Sequence, residues 1–178
     1  MRLILLRHAK SSWDHPGLRD HDRPLDSRGE RAAPAMGRHL SETDLRIDRI
    51  LTSTAARAMG TALAFVDAFD PRVPVVETRD LYHADPLDML EIARDAGLGG
   101  DVRIMLVGHN PGMHDLALDL CGEGEPRSVR RLEGKFPTGA LAEFELPDGD
   151  PTELPAGAGR LVRFVRPKDL PDAKKLRL

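Results

Sequence analysis

The stretch Arg-Leu-Ile-Leu-Leu-Arg-His-Ala occupies residues 2–9 and joins a compact apolar run to two basic side chains at its end. A short, continuous apolar run bounded by polar residues is typical of a strand that is buried on both faces. Residues 102–107 have the same character, and helix-like segments lie between such runs. Alternating strands and helices predict an α/β fold, a three-layer sandwich with a mainly parallel central sheet.

The boundaries of the predicted elements follow from this alternation. Strands are expected at residues 2–7, 47–52, 73–77 and 102–107, and helices at 27–40, 54–69, 86–96 and 110–120. Two further strand-like runs, 140–146 and 160–165, flank a turn rich in Pro, Gly and Asp and predict an added antiparallel C-terminal strand pair. We expect a single domain over residues 1–166 and a charged C-terminal tail over 167–178.

The first predicted helix carries two local signals. Ser27-Arg28-Gly29-Glu30 matches a capping box, in which the first and fourth side chains bond free backbone N–H groups. Pro34 lies inside the same segment, and proline there removes a backbone donor and crowds the preceding turn. We therefore expect a kink or a late start at Pro34.

Length and composition narrow the class of protein. At 178 residues the chain has about the size of one domain, and a hydrophobic fraction of 40% excludes wholesale disorder. The longest N-terminal apolar run, residues 3–6, is too short for a signal sequence or a membrane span. The single cysteine, Cys121, cannot form an internal disulfide, so a cytoplasmic location is expected.

The charge balance argues against two kinds of partner. With 26 basic and 29 acidic residues the net charge is −3, so neither nucleic acid nor a membrane surface is an expected partner. A local basic cluster, Arg127, Arg130, Arg131 and Lys135, is expected to be a solvated face. The alternative is that this cluster contacts an acidic protein partner or a distal phosphate.

Unusual polar side chains follow three of the predicted strands. Arg7 and His8 follow the first strand, Ser53 and Arg57 follow the second, and His109 follows the fourth. In open α/β sheets, ligands bind beyond the carboxyl ends of the strands, so these groups should converge. Guanidinium forks neutralise a phosphoryl dianion, and a neutral imidazole can attack phosphorus. The pattern therefore predicts a site for phosphoryl chemistry.

The same motifs resemble those of the histidine phosphatase superfamily, which is also called phosphoglycerate-mutase-like. The motifs are Leu-Leu-Arg-His-Ala at 5–9, Ser-x-x-x-Arg-Ala-x-x-Thr-Ala at 53–62 and Val-Gly-His-Asn-Pro-Gly at 107–112. Residues 23–29 and 137–139 further resemble the short, SixA-type branch of phosphohistidine phosphatases. The resemblance extends over about residues 1–166, which is nearly the whole chain.

The resemblance implies a role for each of these residues. His8 would be the nucleophile and would form a phosphohistidine intermediate that water then hydrolyses. Arg7 and Arg57 would hold the non-bridging oxygens, and a cationic His109 would donate to the same oxygens. Ser53 would add a hydroxyl to the same site. Asn110, Ser11 and Trp13 are further candidates for substrate binding, and the alternative for Trp13 is that it packs a loop onto the body of the protein.

No metal and no cofactor is expected. A metal site is the competing interpretation of the seven histidines, but His109 and His114 lack the i, i+4 spacing of the helical zinc motif. The expected activity is a metal-independent phosphatase, with a phosphorylated substrate as its partner.

The substrate most favoured by the resemblance is phosphohistidine in a protein. Cleavage of an alkyl phosphate needs a general acid, for which Asp80 and His83 are the candidates, whereas the SixA-type branch lacks a dedicated acid. The alternatives are a phosphatase of a small phosphoester, such as a sugar or nucleotide phosphate, and a phosphate-binding protein with negligible turnover. A mutase would need a larger lid to exclude water.

Overall fold

The computed structural model describes residues 1–14, 16–99 and 102–178. Its strands are β1 (Arg2–Arg7), β2 (Arg49–Ser53), β3 (Val75–Thr78), β4 (Arg103–Gly108), β5 (Cys121–Gly124), β6 (Leu141–Glu145) and β7 (Gly159–Val165). Its α-helices are α1 (Ser27–Ser41), α2 (Ala56–Val66), α3 (Pro86–Asp95), α4 (Gly112–Leu120), α5 (Pro126–Gly134) and α6 (Ala173–Leu176). Within the described residues, the seven strands form one sheet in the order β3-β2-β4-β1-β6-β7-β5.

The sheet is parallel on one side of β1 and largely antiparallel on the other. β2 pairs in parallel with β3 and β4, and β4 pairs in parallel with β1. β6 runs antiparallel to both β1 and β7, which confirms the predicted mainly parallel sheet with an added antiparallel pair. β5, which pairs in parallel with β7, is not predicted from the sequence, because Cys-Gly-Glu-Gly carries no strand-forming pattern.

β1 supplies core side chains to both faces of the sheet. Leu3 and Leu5 pack into a cluster with residues of α3, α4 and α5, whereas Ile4 and Leu6 pack into a second cluster with α1 and α2. All four side chains are at most 1% exposed. Each such burial stabilises the fold by about 1.5–3 kcal/mol, so a strand between two helical layers must be apolar on every residue.

The start of α1 differs from the capping box predicted at Ser27. The N-cap is Asp26, whose carboxylate accepts hydrogen bonds from the backbone N–H groups of Arg28 and Gly29 at 2.9 and 2.8 Å. Carboxylates are as good as hydroxyls at this position, and the negative charge also suits the helix N-terminus. Pro34 does not delay the start, since α1 runs from Ser27 through Pro34 to Ser41.

Gly29 allows α1 to pack closely against the segment that follows β1. A β-carbon built on Gly29 would overlap the carbonyl oxygen of Lys10, which also accepts a hydrogen bond from the backbone N–H of Asp26. The obstacle is backbone and cannot rotate away.

We expect Gly29→Ala to lower the free energy of unfolding by about 1–3 kcal/mol, because the added methyl group must displace backbone. Denaturant unfolding measures the loss. Gly134→Ala is the matched control, since no atom lies within 4 Å of the corresponding β-carbon position. Equal stability of the two variants would contradict this account of Gly29.

Residues 167–178 are charged, and part of this segment packs on the body of the protein. Leu170 and Ala173 are buried in the cluster that α1 and α2 form with the sheet. The guanidinium of Arg31 on α1 donates to the carbonyl oxygen of Leu176 at 2.9 Å. The C-terminal segment therefore covers one side of α1.

The topology brings the polar ends of three strands together. β4 lies between β1 and β2 and is parallel to both, so the residues that follow these three strands lie at one edge of the sheet. His8 continues the pairing, because its backbone N–H donates to the carbonyl oxygen of Gly108 at 3.0 Å. None of the helices among the described residues is long and apolar enough to cross a membrane.

Candidate active site

A cleft of about 460 Å³ opens at the carboxyl edge of β1, β2 and β4. Of the residues singled out in the sequence, Arg7, His8, Ser11, Trp13, Arg57, His83 and Asn110 line it. Lys10, Asp20, Arg23 and Thr138 complete the lining. His109 and Ser53 lie behind this lining and are almost completely buried.

The ring of His8 is held in one orientation by its own backbone. Nδ1 lies 2.7 Å from the carbonyl oxygen of Ala9, and since a carbonyl can only accept, Nδ1 carries the proton. Nε2 therefore has the free lone pair, and it accepts a hydrogen bond from Nε of Arg57 at 3.3 Å. This tautomer presents a nucleophilic nitrogen next to a cation.

The environment of His8 keeps the imidazole neutral. Burial lowers its pKa, and although the hydrogen bond to Ala9 opposes this, the charges of Arg57, Arg7 and Arg23 lower it further, to about 3. A protonated ring has no lone pair on Nε2 and cannot attack phosphorus. The positive surroundings of His8 thus keep its imidazole in the form that can attack phosphorus.

Arg57 is buried in the first turns of α2 and is fixed by Asp20. Its two terminal nitrogens donate to the backbone oxygen of Asp20 at 2.5 Å and to the Asp20 carboxylate at 2.8 Å. With both terminal nitrogens bound, the remaining Nε faces His8. The guanidinium is therefore ordered before any ligand contact.

Arg7 and Asn110 share one anchor in a distant part of the chain. Both side chains donate to the carbonyl oxygen of Phe136, Arg7 at 2.8 Å and Asn110 at 3.1 Å. Nε of Arg7 and Oδ1 of Asn110 are buried without a partner among the described residues. Burial and the charge of Arg57 hold the pKa of Arg7 below its usual range. The unpaired Nε is a donor available to an anion.

His109 is held by Ser53 and lies beside His8. The two imidazole rings of His8 and His109 have centroids 5.0 Å apart, and Nε2 of His109 lies 2.9 Å from the Ser53 hydroxyl. That hydroxyl also accepts from the backbone N–H of Ala55, and when its own proton points at Nε2, a neutral His109 carries its proton on Nδ1. Ser53 therefore orients His109, whereas the sequence had suggested a direct contact with substrate.

The expectation of a cationic His109 is not met. Burial lowers its pKa, and the charges of His8, Arg57 and His83 add to this, so that the pKa is about 3 despite the opposing carboxylate of Asp20. Nδ1 of His109 is buried without a partner among the described residues. A neutral His109 with its proton on Nδ1 remains a hydrogen-bond donor.

The two lowered pKa values predict an unusual acid titration. We expect both rings to stay neutral between about pH 5 and 8, so their NMR ring resonances should not shift in that range. In the unfolded chain an imidazole binds a proton near pH 6.5, whereas in the folded protein the imidazoles of His8 and His109 bind one near pH 3. The free energy of unfolding should therefore fall as the pH drops from about 6.5 to about 3. His8→Ala should remove part of that pH dependence. A titration midpoint near 6.5 for His8 would contradict the proposed desolvation.

Ser11 and Trp13 meet at the mouth of the cleft through Arg23. Arg23 donates to the Ser11 hydroxyl at 2.9 Å, and its guanidinium carbon lies 3.3 Å from the centroid of the Trp13 ring. The indole is 74% exposed. Ser11 is thus already bonded to Arg23, while Trp13 offers an open aromatic face at the entrance.

Two residues of the site, Asp20 and Tyr82, are not predicted from the sequence. The carboxylate of Asp20 accepts hydrogen bonds from Arg57, from Arg23 at 2.9 Å and from the Tyr82 hydroxyl at 2.9 Å. Burial would raise the pKa of Asp20, but these donors outweigh it and lower the pKa to about 2. Asp20 is therefore an anion that orders both arginines. The only sequence signal is its place in the polar loop before Arg23.

The two candidate general acids lie in different places. Asp80 bonds to Thr78 and lines a separate surface cleft with Asp88 and Glu91, so it does not reach His8. His83 lines the catalytic cleft, with Nε2 at 3.9 Å from the Asp20 carboxylate. In the part of the chain that the structure describes, no group of three or more His, Cys, Asp or Glu residues could hold a metal ion.

Comparisons with known proteins agree with this geometry. Residues 3–92 match the family model of the histidine phosphatase superfamily (branch 1). An uncharacterized protein of Mycobacterium tuberculosis (strain H37Rv) is 34% identical over 166 residues, which cover 92% of this chain and all of that protein.

Two solved structures are similar over most of the chain. The putative phosphohistidine phosphatase SixA from Agrobacterium tumefaciens is 33% identical, with a TM-score of 0.74 over 93% of this chain and 97% of that one. The protein histidine phosphatase SixA complexed with tungstate has a TM-score of 0.75 over 96% of this chain and 99% of that one. At 23% identity, the second likeness shows the fold alone.

Proposed function

Since this chain belongs to the histidine phosphatase superfamily and is a phosphatase, we propose that it hydrolyses phosphohistidine in a protein through an intermediate on Nε2 of His8. The observation that carries the proposal is the fixed tautomer of His8, with Nδ1–H on the Ala9 carbonyl and the lone pair of Nε2 facing Nε of Arg57. Such an imidazole is a ready nucleophile.

The reaction has two displacement steps at phosphorus. In the first, the lone pair on Nε2 of His8 forms a bond to phosphorus as the bond to the substrate nitrogen breaks, and the leaving imidazole takes a proton from solvent. In the second, water attacks the phosphoryl group on His8, loses a proton, and releases inorganic phosphate with the electron pair returned to Nε2. Each step inverts the phosphorus centre, and the enzyme ends unchanged.

The cations of the site act on the oxygens of the transferred group. Charge is spread over the three non-bridging oxygens in the transition state, so preordered donors stabilise it. Arg57 and Arg7 supply two donors, and the unpartnered Nδ1 of His109 supplies a third. Asp20 contributes indirectly, by holding Arg57 in place before substrate arrives.

Phosphohistidine suits this cleft because its leaving group needs little help. A protonated imidazole departs readily, whereas an alkoxide must be protonated in the transition state. Asp80 lies outside the cleft. Among the described residues that line the cleft the one carboxylate is Asp20, which accepts hydrogen bonds from Arg57 and Tyr82 and stays ionised, so it is not a proton donor to the leaving group. The likeness to the SixA phosphohistidine phosphatase of A. tumefaciens supports the same substrate class.

A small phosphoester is the second candidate, and His83 is the observation that favours it. His83 lines the cleft beside Asp20, where a protonated imidazole could supply a proton to an alkoxide. With His83 as the acid, sugar or nucleotide phosphates would also be substrates.

A series of leaving groups tests both candidates. We expect kcat/KM to be higher for a phosphohistidine peptide and for aryl phosphates than for alkyl phosphates. The imidazole and the phenolate that leave from the first two substrates do not need a strong acid to protonate them. Asp80→Asn should not change this order, since Asp80 lies in another cleft. His83→Gln is the second variant to measure. If its kcat/KM falls for alkyl phosphates alone, the result would favour a small phosphoester as the substrate.

The outcome that contradicts the placement of Asp80 is equally clear. If the dependence of kcat/KM on leaving-group pKa is flat in the wild type and steep in Asp80→Asn, then Asp80 is the acid. Equal rates on phosphohistidine and alkyl phosphates in the wild type would count against the preference for phosphohistidine.

A further inference from the structure

A second cleft, of about 180 Å³, adjoins the catalytic one and is lined by positive charge. We call it the basic groove. Its cationic residues are Lys10, Arg28, Lys135, Arg166 and Lys168, and no acidic side chain of the described residues lines it. The volume of the basic groove is several times the roughly 30 Å³ that a water molecule occupies in the liquid, so a phosphate or carboxylate group fits in it.

The charges of the basic groove are largely uncompensated. Arg166 is paired with Asp169, through contacts of 2.7 and 2.8 Å. Among the described residues, no carboxylate lies within the 4.0 Å of a salt bridge from the charged nitrogens of the remaining four cations. Unpaired like charges repel one another, and an anion bound among them relieves that repulsion.

The four unpaired cations come from separate parts of the fold. Lys10 follows β1, Arg28 begins α1, Lys135 follows α5, and Lys168 lies in the short turn after β7. Such convergence of segments far apart in sequence differs from a run of charge along one helix. Of the basic cluster singled out in the sequence at residues 127–135, only part lies at the basic groove.

The members of that cluster have different surroundings. Lys135 faces the basic groove, whereas Arg131 lies 3.7 Å from the carboxylate of Asp169. Arg127 and Arg130, both exposed on α5, line neither the basic groove nor the catalytic cleft. Only one of the four residues therefore belongs to this surface.

The basic groove borders the catalytic cleft. Lys10 and Thr138 line both, and Lys10 is two residues beyond His8. The backbone at Lys10 packs on the start of α1, because its carbonyl oxygen accepts from the backbone N–H of Asp26 and lies against Gly29. A ligand whose phosphoryl group lies at His8 can thus extend into the basic groove.

We propose that the basic groove binds a second anionic group of the substrate, next to the phosphoryl group that is transferred. The inference deepens the proposed function and rests on the same site. The second group is a phosphate or carboxylate, either in the protein sequence that flanks phosphohistidine or on a small phosphoester. Because these cations lie away from the reacting atoms, they act on ground state and transition state alike and should lower KM while kcat stays the same.

Binding of inert analogues tests the proposal without any need for turnover. One pair consists of phenylphosphonate and 1,4-phenylenediphosphonate. The other consists of two peptides with a non-hydrolysable phosphohistidine analogue, flanked by Glu in one and by Gln in the other. Calorimetry on the full chain should give a Kd at least about fivefold lower for the doubly anionic member of at least one pair, and salt should weaken that advantage.

Two double variants locate the effect. Lys135→Gln with Lys168→Gln should reduce the advantage of the doubly anionic ligand by about fivefold. Arg127→Gln with Arg130→Gln removes the same charge from α5 outside the basic groove and should leave the advantage as it is. An equal loss in both double variants would show a long-range effect of net charge and would overturn the proposal.

The remaining outcomes are also decisive. An advantage in the peptide pair alone identifies an acidic protein segment as the source of the anion, and an advantage in the diphosphonate pair alone identifies a small phosphoester. Equal affinity within both pairs, or no binding of the doubly anionic members, overturns the basic groove as a subsite. Separate assays of phenyl phosphate and phosphohistidine turnover test the proposed function, so the two can fail independently.

Discussion

His8→Ala is expected to abolish turnover while leaving the protein folded. Nε2 of His8 is the nucleophile of the first step in the proposed reaction, and its removal leaves water to attack the substrate directly. The fold should survive, because β1 is held by the side chains of residues 3–6 and by pairing with β4 and β6. Assays with an aryl phosphate and with a phosphohistidine peptide measure the loss.

A trapped intermediate provides the direct check on His8. Wild-type enzyme quenched during turnover of a radiolabelled substrate should carry an acid-labile, alkali-stable label on the peptide that contains His8, and His8→Ala should carry none. His39→Ala is a suitable control, since His39 lies on α1 outside the cleft. More than a few per cent of wild-type activity in His8→Ala would refute the assignment of the nucleophile.

Arg57→Ala and His109→Ala should each reduce kcat/KM by at least about a hundredfold. Removal of one preordered donor from a developing negative charge typically costs 10²- to 10³-fold in rate. Arg57 is ordered by two hydrogen bonds to Asp20, and His109 is ordered by Ser53. A neighbouring side chain should therefore not take over the role of either residue in its alanine variant.

Arg57→Lys separates charge from geometry. Lysine keeps the positive charge but lacks the planar fork that spans Asp20 and His8, so we expect it to restore little of the lost activity. Arg46→Ala, at an exposed arginine that bonds only to nearby backbone oxygens, controls for loss of a cation. Losses below tenfold in both Arg57→Ala and His109→Ala would mean that these residues are structural.

The parts of the fold that the sequence predicts are those with local causes. β1 and β4 are buried on both faces, so their continuous apolar runs are visible without any knowledge of the neighbours. β5 is missed because its strand conformation depends on pairing with β7, and α5 because its first residues suggest only a patch of charge.

The candidate site divides in the same way. Arg7, His8 and Arg57 lie in motifs at strand ends, and the parallel sheet brings them together as expected. Asp20 and Tyr82 meet across 62 residues of sequence, and no local pattern reports such a contact. The neutral state of His109 likewise depends on burial and on the charges around it, neither of which can be seen in Gly-His-Asn-Pro.

The central position of β1 also bears on how the chain acquires activity during synthesis. β1 is synthesised before its two neighbours, β4 and β6, which are complete only at residues 108 and 145. A nascent chain that ends at residue 92 already contains His8 and Arg57, yet it lacks His109 and the Phe136 carbonyl on which Arg7 rests. Long-range pairing of this kind forms late in folding, so an incomplete or truncated chain would carry two of the three motifs without hydrolysing any phosphorylated substrate.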